Sequence, residues 1–226
     1  MSKGQRGDFR LIIKDMKTNL TILLVVITST VFSSKYEEAM KTNISRMYEL
    51  TSSVELQSLA NQFERIGNAE QDKWLPDYYS AYCFVRSTFF NNMKADDIHK
   101  QLDKAQSIID ELLKKNSEES EIYALQALVY QLRITDMSKG AKFSGKAAEA
   151  IAIAEKLNPM NPRVYYLRGS NTFHTPKSFG GGADKAKRDL EKASKMFETQ
   201  KPENELTPTW GGNHNKQLLS QCSEEQ

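Results

Sequence analysis

Three histidines, two cysteines and a triple-glycine loop are the residues of this chain with the plainest chemical potential. His99, His174 and His214 are far apart in sequence, form no HExxH pattern, and have no Cys or carboxylate at zinc-site spacing. His99 lies beside the apolar stripe of a helix, where exposure is expected. His174 ends a helix, where a positive imidazole suits the dipole. Gly180-Gly181-Gly182 leads into a helix, and amides at a helix N-terminus attract anions, so this loop is the one phosphate-cradle candidate. A P-loop, however, follows a strand and ends in Gly-Lys-Ser/Thr, and neither feature is present. The glycines then read as turn residues that tolerate positive φ. Asp96-Asp97 and Glu118-Glu119 are adjacent carboxylates, which a helix does not place on one face, so they read as solvated helix starts or turns. There is no G-x-S-x-G nucleophile motif. Neither catalysis nor a bound metal or cofactor is expected.

Charge narrows the partners. The 226 residues carry a formal net charge of +2, and the excess sits at the start: Lys3, Arg6, Arg10, Lys14 and Lys17 face only Asp8 and Asp15 within residues 1–33. The remainder is close to neutral, so no electrostatic footprint for nucleic acid exists. Lys14 and Lys17 precede Leu20 to Phe32, thirteen uncharged residues closing on Val31-Phe32-Ser33. That is a positive n-region, an apolar h-region and a small-residue cleavage context. Thirteen residues fall short of the roughly 20 that span a bilayer. Residues 1–33 are therefore expected to be an export signal to the periplasm, with 1–15 a possible upstream extension. An uncleaved anchor and a buried core helix remain the alternatives. The membrane is involved only through that signal. In an oxidising compartment Cys83 and Cys222 could pair, although Cys83 occupies a position where other repeats carry Ala or Gly, which favours a small buried thiol.

The elements that hold these residues are helical throughout. Apolar residues at helical spacing predict helices over 35–50, 54–71, 77–90, 95–115, 121–135, 146–157, 162–174 and 183–199. Trp74-Leu75-Pro76, Asn91-Asn92, Asn116-Ser117, Asn158-Pro159 and Thr175-Pro176 separate them. Ser120 is expected to cap one helix, Asp136 to Gly145 to form a loop, and Asn161 with Pro162 to open the next helix. Beyond Pro202 the composition turns irregular, with a short turn or two of helix at Lys216 to Cys222. No strand-like alternation appears.

The spacings recur. Tyr79, Tyr123 and Tyr165 each stand four residues before a small residue, Cys83, Ala127 and Gly169, and residues four apart stack on one helix face. An aromatic one turn from a notch invites close approach by a neighbouring helix. The intervening helices share a four–three apolar step: Leu59, Phe63 and Ile66; Ile98, Leu102 and Ala105; Ala147, Ile151 and Ala154; Ala186, Leu190 and Ala193.

These residues resemble the tetratricopeptide repeat (TPR), a helix–turn–helix unit with small residues at its close-packing positions and a proline at its end. The period is longer than the usual 34, and tyrosine replaces the usual tryptophan. Phe63-Glu64-Arg65-Ile66, Trp74 to Tyr79, Asn158 to Gly169, Phe179 to Gly182 and Pro208-Thr209-Trp210-Gly211 together resemble a family of exported bacterial TPR-like proteins without assigned activity. The stretch from Pro176 to Gly182 with Lys185-Ala186 is also similar to the TPR-like component associated with TRAP transporters. The resemblance implies an all-α, TPR-like right-handed α–α superhelix of about four hairpins over 34–204, with 205–226 an irregular tail capping its end. It further implies a concave face lined by the first helix of each hairpin. On that face it places Phe84, Leu128, Tyr166, Ser170 and His174, residues that serve equally well to pack against the next helix. The expected function is a non-catalytic exported scaffold that binds a protein or peptide. A small-molecule-binding accessory of a TRAP-type transporter is the alternative.

Overall fold

The computed structural model describes residues 35–90 and 93–224. The leader at 1–33 and the Asn91-Asn92 turn fall outside them. The chain divides into two compact units between Thr42 and Asn43. Of the first, residues 35–42 are described and helical. The second holds the rest of that helix and every later element, and no strand occurs among the described residues.

Helix α1 covers residues 35–49, and eight more follow: α2 (Ser53–Ala69), α3 (Leu75–Ser87), α4 (Ala95–Lys115), α5 (Ser120–Leu132), α6 (Met137–Leu157), α7 (Pro162–His174), α8 (Ala183–Thr199) and α9 (Gly212–Glu224). Their ends follow the local chemistry. Ser52 caps α2 by accepting the Glu55 amide, and Asn161 caps α7 by accepting that of Arg163, with Pro162 in the first turn. Asp96 and Asp97 open α4 while Lys114 and Lys115 close it, each sign opposing the local end of the helix dipole. Pro76 sits in the first turn of α3, so Trp74-Leu75-Pro76 starts that helix, while α2 has already ended at Ala69. The cap of α5 is Glu119 rather than Ser120. Ser120 is buried, and its hydroxyl instead donates to Ala154 O of α6 (2.9 Å) and accepts from Asn161 Nδ2 (3.1 Å), tying two hairpins together.

Two further departures from the sequence expectation have physical causes. The segment 136–145, expected as a loop because of Gly140 and Gly145, forms the first turns of α6. Asp136 caps it through the Ser138 amide (3.0 Å) and pairs with Lys139, Phe143 stacks on Tyr130 of α5, and Ser144 bonds Asn171 of α7. Each helical glycine costs about 1 kcal/mol relative to alanine, which these contacts offset. Nothing lies within 4 Å of where a Cβ at Gly140 would be. Gly140→Ala should therefore stabilise the protein by roughly 0.5–1 kcal/mol, read as a higher urea midpoint; an unchanged or lower midpoint would show that the glycine is needed there. The tail, expected to be irregular over 205–226, contains α9. Asn215, Leu218 and Cys222 stand at three–four spacing and are all buried.

Successive helices pack on one another from α2 to α9, and α3, α5, α7 and α9 also touch in succession. Odd-numbered helices thus form one layer and even-numbered helices another. The four–three stripes are where the layers meet: Phe63, Leu102, Ile151 and Leu190 are buried. Gly169 is the notch its spacing predicts, since a Cβ there would lie 2.6 Å from Leu190 Cδ2. Cys83 is a buried free thiol with no disulfide to Cys222, and its burial pushes it well above the usual range.

Candidate functional site

In a hairpin array the face of the first-helix layer is the natural binding surface, and here a segment of the same chain crosses it. After α8, Asn204 turns the backbone by accepting the Leu206 amide (2.8 Å), and Pro208 has no amide to satisfy. The segment then meets the odd-numbered helices in turn. Tyr79 of α3 donates its hydroxyl to Leu206 O (2.7 Å), and Tyr48 of α1 lies 3.3 Å from Thr209 Oγ1. Trp210 is only 5% exposed. Its Nε1 donates to the Tyr78 hydroxyl (2.7 Å), its ring stacks on Tyr82 with centroids 5.4 Å apart, and Tyr166 of α7 meets it edge-on at 6.3 Å. Gly211 ends the strap at φ 102°, and a Cβ there would come within 3.1 Å of Tyr166 and 3.2 Å of Phe197. Only glycine suits that corner.

A buried charge anchors the strap. Arg163 of α7 has no exposed surface. Its Nε and Nη2 donate to the two Glu121 carboxylate oxygens of α5, both at 2.6 Å, its Nη1 donates to Trp210 O at 3.2 Å, and its guanidinium carbon sits 5.5 Å from the Trp210 ring centroid. Burial works against this cation, but the Glu121 carboxylate outweighs it and holds Arg163 above its usual pKa. Burial also pushes the hydroxyls of Tyr78, Tyr79, Tyr82 and Tyr166 upward, so all four stay protonated as neutral hydrogen-bonding groups. This arrangement binds and positions; it offers no nucleophile beside a base.

The residues expected on the concave face divide. Tyr166, Ser170 and His174 follow one another at one-turn intervals along α7 and share a side. Tyr166 and Ser170 are buried and His174 is exposed. His214, in the first turns of α9, completes this corner: its Nδ1 is 2.8 Å from the Tyr166 hydroxyl and its ring meets Tyr166 edge-on at 5.8 Å. Phe173 packs edge-on against His174 at 5.1 Å. Crowding by neighbours lowers both imidazoles below their usual pKa, and the charge of His174 adds to the effect on His214. Phe84 and Leu128 do not join the corner. Both are buried, and Phe84 lies under Lys104 of α4, whose Nζ is 5.2 Å from the ring. Sequence reasoning missed Arg163, Glu121 and His214 as partners. A tryptophan between Pro208 and Gly211 was the available signal, since so large a ring in a turn-rich segment has to dock somewhere.

The glycine loop is structural. Gly180 donates to Lys177 O (3.0 Å), Gly181 to Pro176 O (3.2 Å) and Gly182 to Thr172 O (2.9 Å), so none of the three amides points at a ligand. A Cβ at Gly181 would collide with Thr175 O and lie 2.6 Å from Thr172 O. Gly181→Ala should lower stability by about 2–3 kcal/mol, a clear fall in the urea midpoint; a loss under about 0.5 kcal/mol would mean that the loop yields.

No family model matches this chain, and no curated protein matches it. Among solved structures, the HusA haemophore from Porphyromonas gingivalis is similar, with a TM-score of 0.74 and 29% identity over 84% of this chain and 94% of that one. A thermophilic TPR protein from Thermus thermophilus is similar at a TM-score of 0.59 and 14% identity, covering 84% of this chain and 82% of that one. The fold is a TPR-like α–α superhelix. The long period comes mainly from second helices of 21 residues, α4 and α6, with a seven-residue connection between α3 and α4 adding to the first hairpin. As a TPR-like helical scaffold, the chain has an architecture built for binding.

Proposed function

We propose that this chain is an exported, non-catalytic carrier of haem or a closely related tetrapyrrole. The likeness to a haemophore carries the reading, because the match, at 29% identity, covers 84% of this chain and 94% of that one. The donor set agrees with it. Among the described residues no group of three or more His, Cys, Asp or Glu side chains could hold a bare metal ion. A porphyrin brings its own four nitrogens and needs at most one or two axial donors from the protein, for which His and Tyr are suitable. His214 against Tyr166, and His174 against Phe173 further along α7, place imidazoles next to aromatic rings. Ferric haem titrated into the full chain should develop a protein-bound Soret band and quench tryptophan fluorescence with a Kd of about 1 μM or tighter. No spectral change at excess haem would end the reading.

A second reading, a scaffold for a protein or peptide partner, draws on a different observation: the first-helix layer already accepts a helix-free segment, residues 206–210, through backbone carbonyls and a buried tryptophan. A surface that takes such a segment in cis has the chemistry to take a peptide in trans. A labelled peptide copying residues 204–211 should then bind a variant whose own strap is released, and its failure to bind would discard this reading. A transporter-accessory role has no observation in its favour beyond the short likeness around Pro176 to Gly182.

A further inference from the structure

We propose that the cleft between the α2–α3 turn and the C-terminal end of α4 binds a small zwitterion of the α-amino-acid class. The cleft holds about 250 Å3, with Trp74 and Asp77 on one side and Glu111, Leu112, Lys115 and Asn116 on the other. That volume lies below the roughly 300–1,000 Å3 of sites for drug-sized molecules, so it selects a ligand of few atoms and excludes a tetrapyrrole. No residue of the Trp210 strap lines it, and the assignment is independent of the haem-carrier reading.

The charges around the cleft leave one of each sign unmatched. Lys73, in the turn, pairs with Asp72 (3.0 Å), and Glu111 pairs with Lys114 (2.6 Å). Asp77 is half-buried, and among the described residues its carboxylate makes no hydrogen bond or ion pair. Its burial pushes the carboxyl above the usual range, and the charge of Lys115 pulls it back only in part. Lys115 is exposed in the last turn of α4 and pairs with no carboxylate among the described residues.

The local structure holds these groups in place. Gly67 lets Asp77 lie against α2, since a Cβ there would collide with Asp77 Oδ1. The half-buried Trp74 ring meets the fully buried Tyr78 edge-on at 5.4 Å, which fixes one wall. Asn116 Nδ2 donates to Leu112 O (3.1 Å), which leaves its Oδ1 as an acceptor. A ligand ammonium then finds the Asp77 carboxylate and a neutral acceptor, its carboxylate finds Lys115, and its side chain lies on the indole. An amine alone would meet the repulsion of Lys115, and an acid alone that of Asp77.

The test begins with calorimetric titration of the common L-amino acids into the full chain at neutral pH. At least one should bind with a Kd of about 1 mM or tighter. Its N-acetyl and carboxamide derivatives, which each keep one charge, should bind about tenfold more weakly. Asp77→Asn should weaken the amino acid about tenfold, and the carboxamide with it, while leaving the N-acetyl derivative unchanged. Lys115→Met should weaken the amino acid and the N-acetyl derivative and spare the carboxamide. The chain has two tryptophans, so in Trp210→Phe the emission of Trp74 alone reports on the cleft and should shift on binding. Circular dichroism confirms that each variant keeps its helices. Binding by none of the amino acids would overturn the proposal. So would a bound amino acid whose affinity neither Asp77→Asn nor Lys115→Met changes, or one that leaves Trp74 emission unaltered, because it then sits elsewhere.

Discussion

Arg163→Ala should cost about 3–5 kcal/mol of stability, the range for breaking a buried ion pair from one side. The arithmetic depends on what is left behind. Arg163 has no exposed surface, and the Glu121 side chain is only 13% exposed. Removing the guanidinium strands a carboxylate that made two bonds at 2.6 Å and takes away the donor to Trp210 O. Lysine cannot substitute, because a single ammonium does not reproduce the planar fork that bridges both carboxylate oxygens while a third nitrogen reaches the carbonyl. The pair need not be strongly stabilising in itself for this to hold. Much of the loss is the penalty of an unpaired buried charge, so Arg163→Met combined with Glu121→Gln should recover a substantial part of it. Urea unfolding of the single and double variants measures both statements. A single-variant loss below about 1 kcal/mol, or a double variant no better than the single, would show that water or a rearranged strap satisfies Glu121.

What could be read from the sequence follows the range of the interactions involved. Helices and their partners were legible because their signals are local and periodic. The four–three stripes bury Phe63, Leu102, Ile151 and Leu190 as expected, with Ile66 and Ile98 at their edges half-buried, and the Tyr165–Gly169 step does mark a notch, filled by Leu190. Glycine misled where its cost was outweighed by contacts from other elements. Gly140 and Gly145 suggested a loop, but the Asp136 cap, the Phe143–Tyr130 stack and the Ser144–Asn171 bonds carry the helix through them. The triple glycine was legible as a turn and suggestive as a phosphate cradle, and its amides proved to be used within the turn. The candidate site was the least legible part, because it depends on long-range contacts. Trp210 meets Tyr78 across 132 residues of sequence and Tyr166 meets His214 across 48. No periodicity encodes such pairs. Tyr166 and His174 were expected on that face because the TPR resemblance places them there; the tail carries almost no pattern that could have pointed to His214.

Trp210→Ala should release the strap, and that outcome separates the energetics of the segment from those of the helices beneath it. Truncating a buried tryptophan typically costs about 3–5 kcal/mol, and here the loss includes the stack on Tyr82, the edge contact with Tyr166 and the Nε1 bond to the Tyr78 hydroxyl. Trp210→Phe keeps most of the packing and loses that hydrogen bond, so it should cost only about 1–2 kcal/mol. The helices have their own stripes and caps, so far-ultraviolet circular dichroism of W210A should remain close to wild type while hydrogen exchange rises over 204–211 and protease cleavage appears there. Release would also leave Arg163 without the Trp210 carbonyl and open Tyr78, Tyr79 and Tyr82 to solvent. If an extended peptide is the natural occupant of this layer, W210A should bind one that the wild type rejects. If haem is the cargo, and it sits at the Tyr166–His214 corner, W210A should bind it more weakly, because the ring that steadies Tyr166 is gone. Protease resistance of W210A equal to that of the wild type would place the anchor in Leu206 and α9, and the tryptophan would then be a filler of the groove and not its latch.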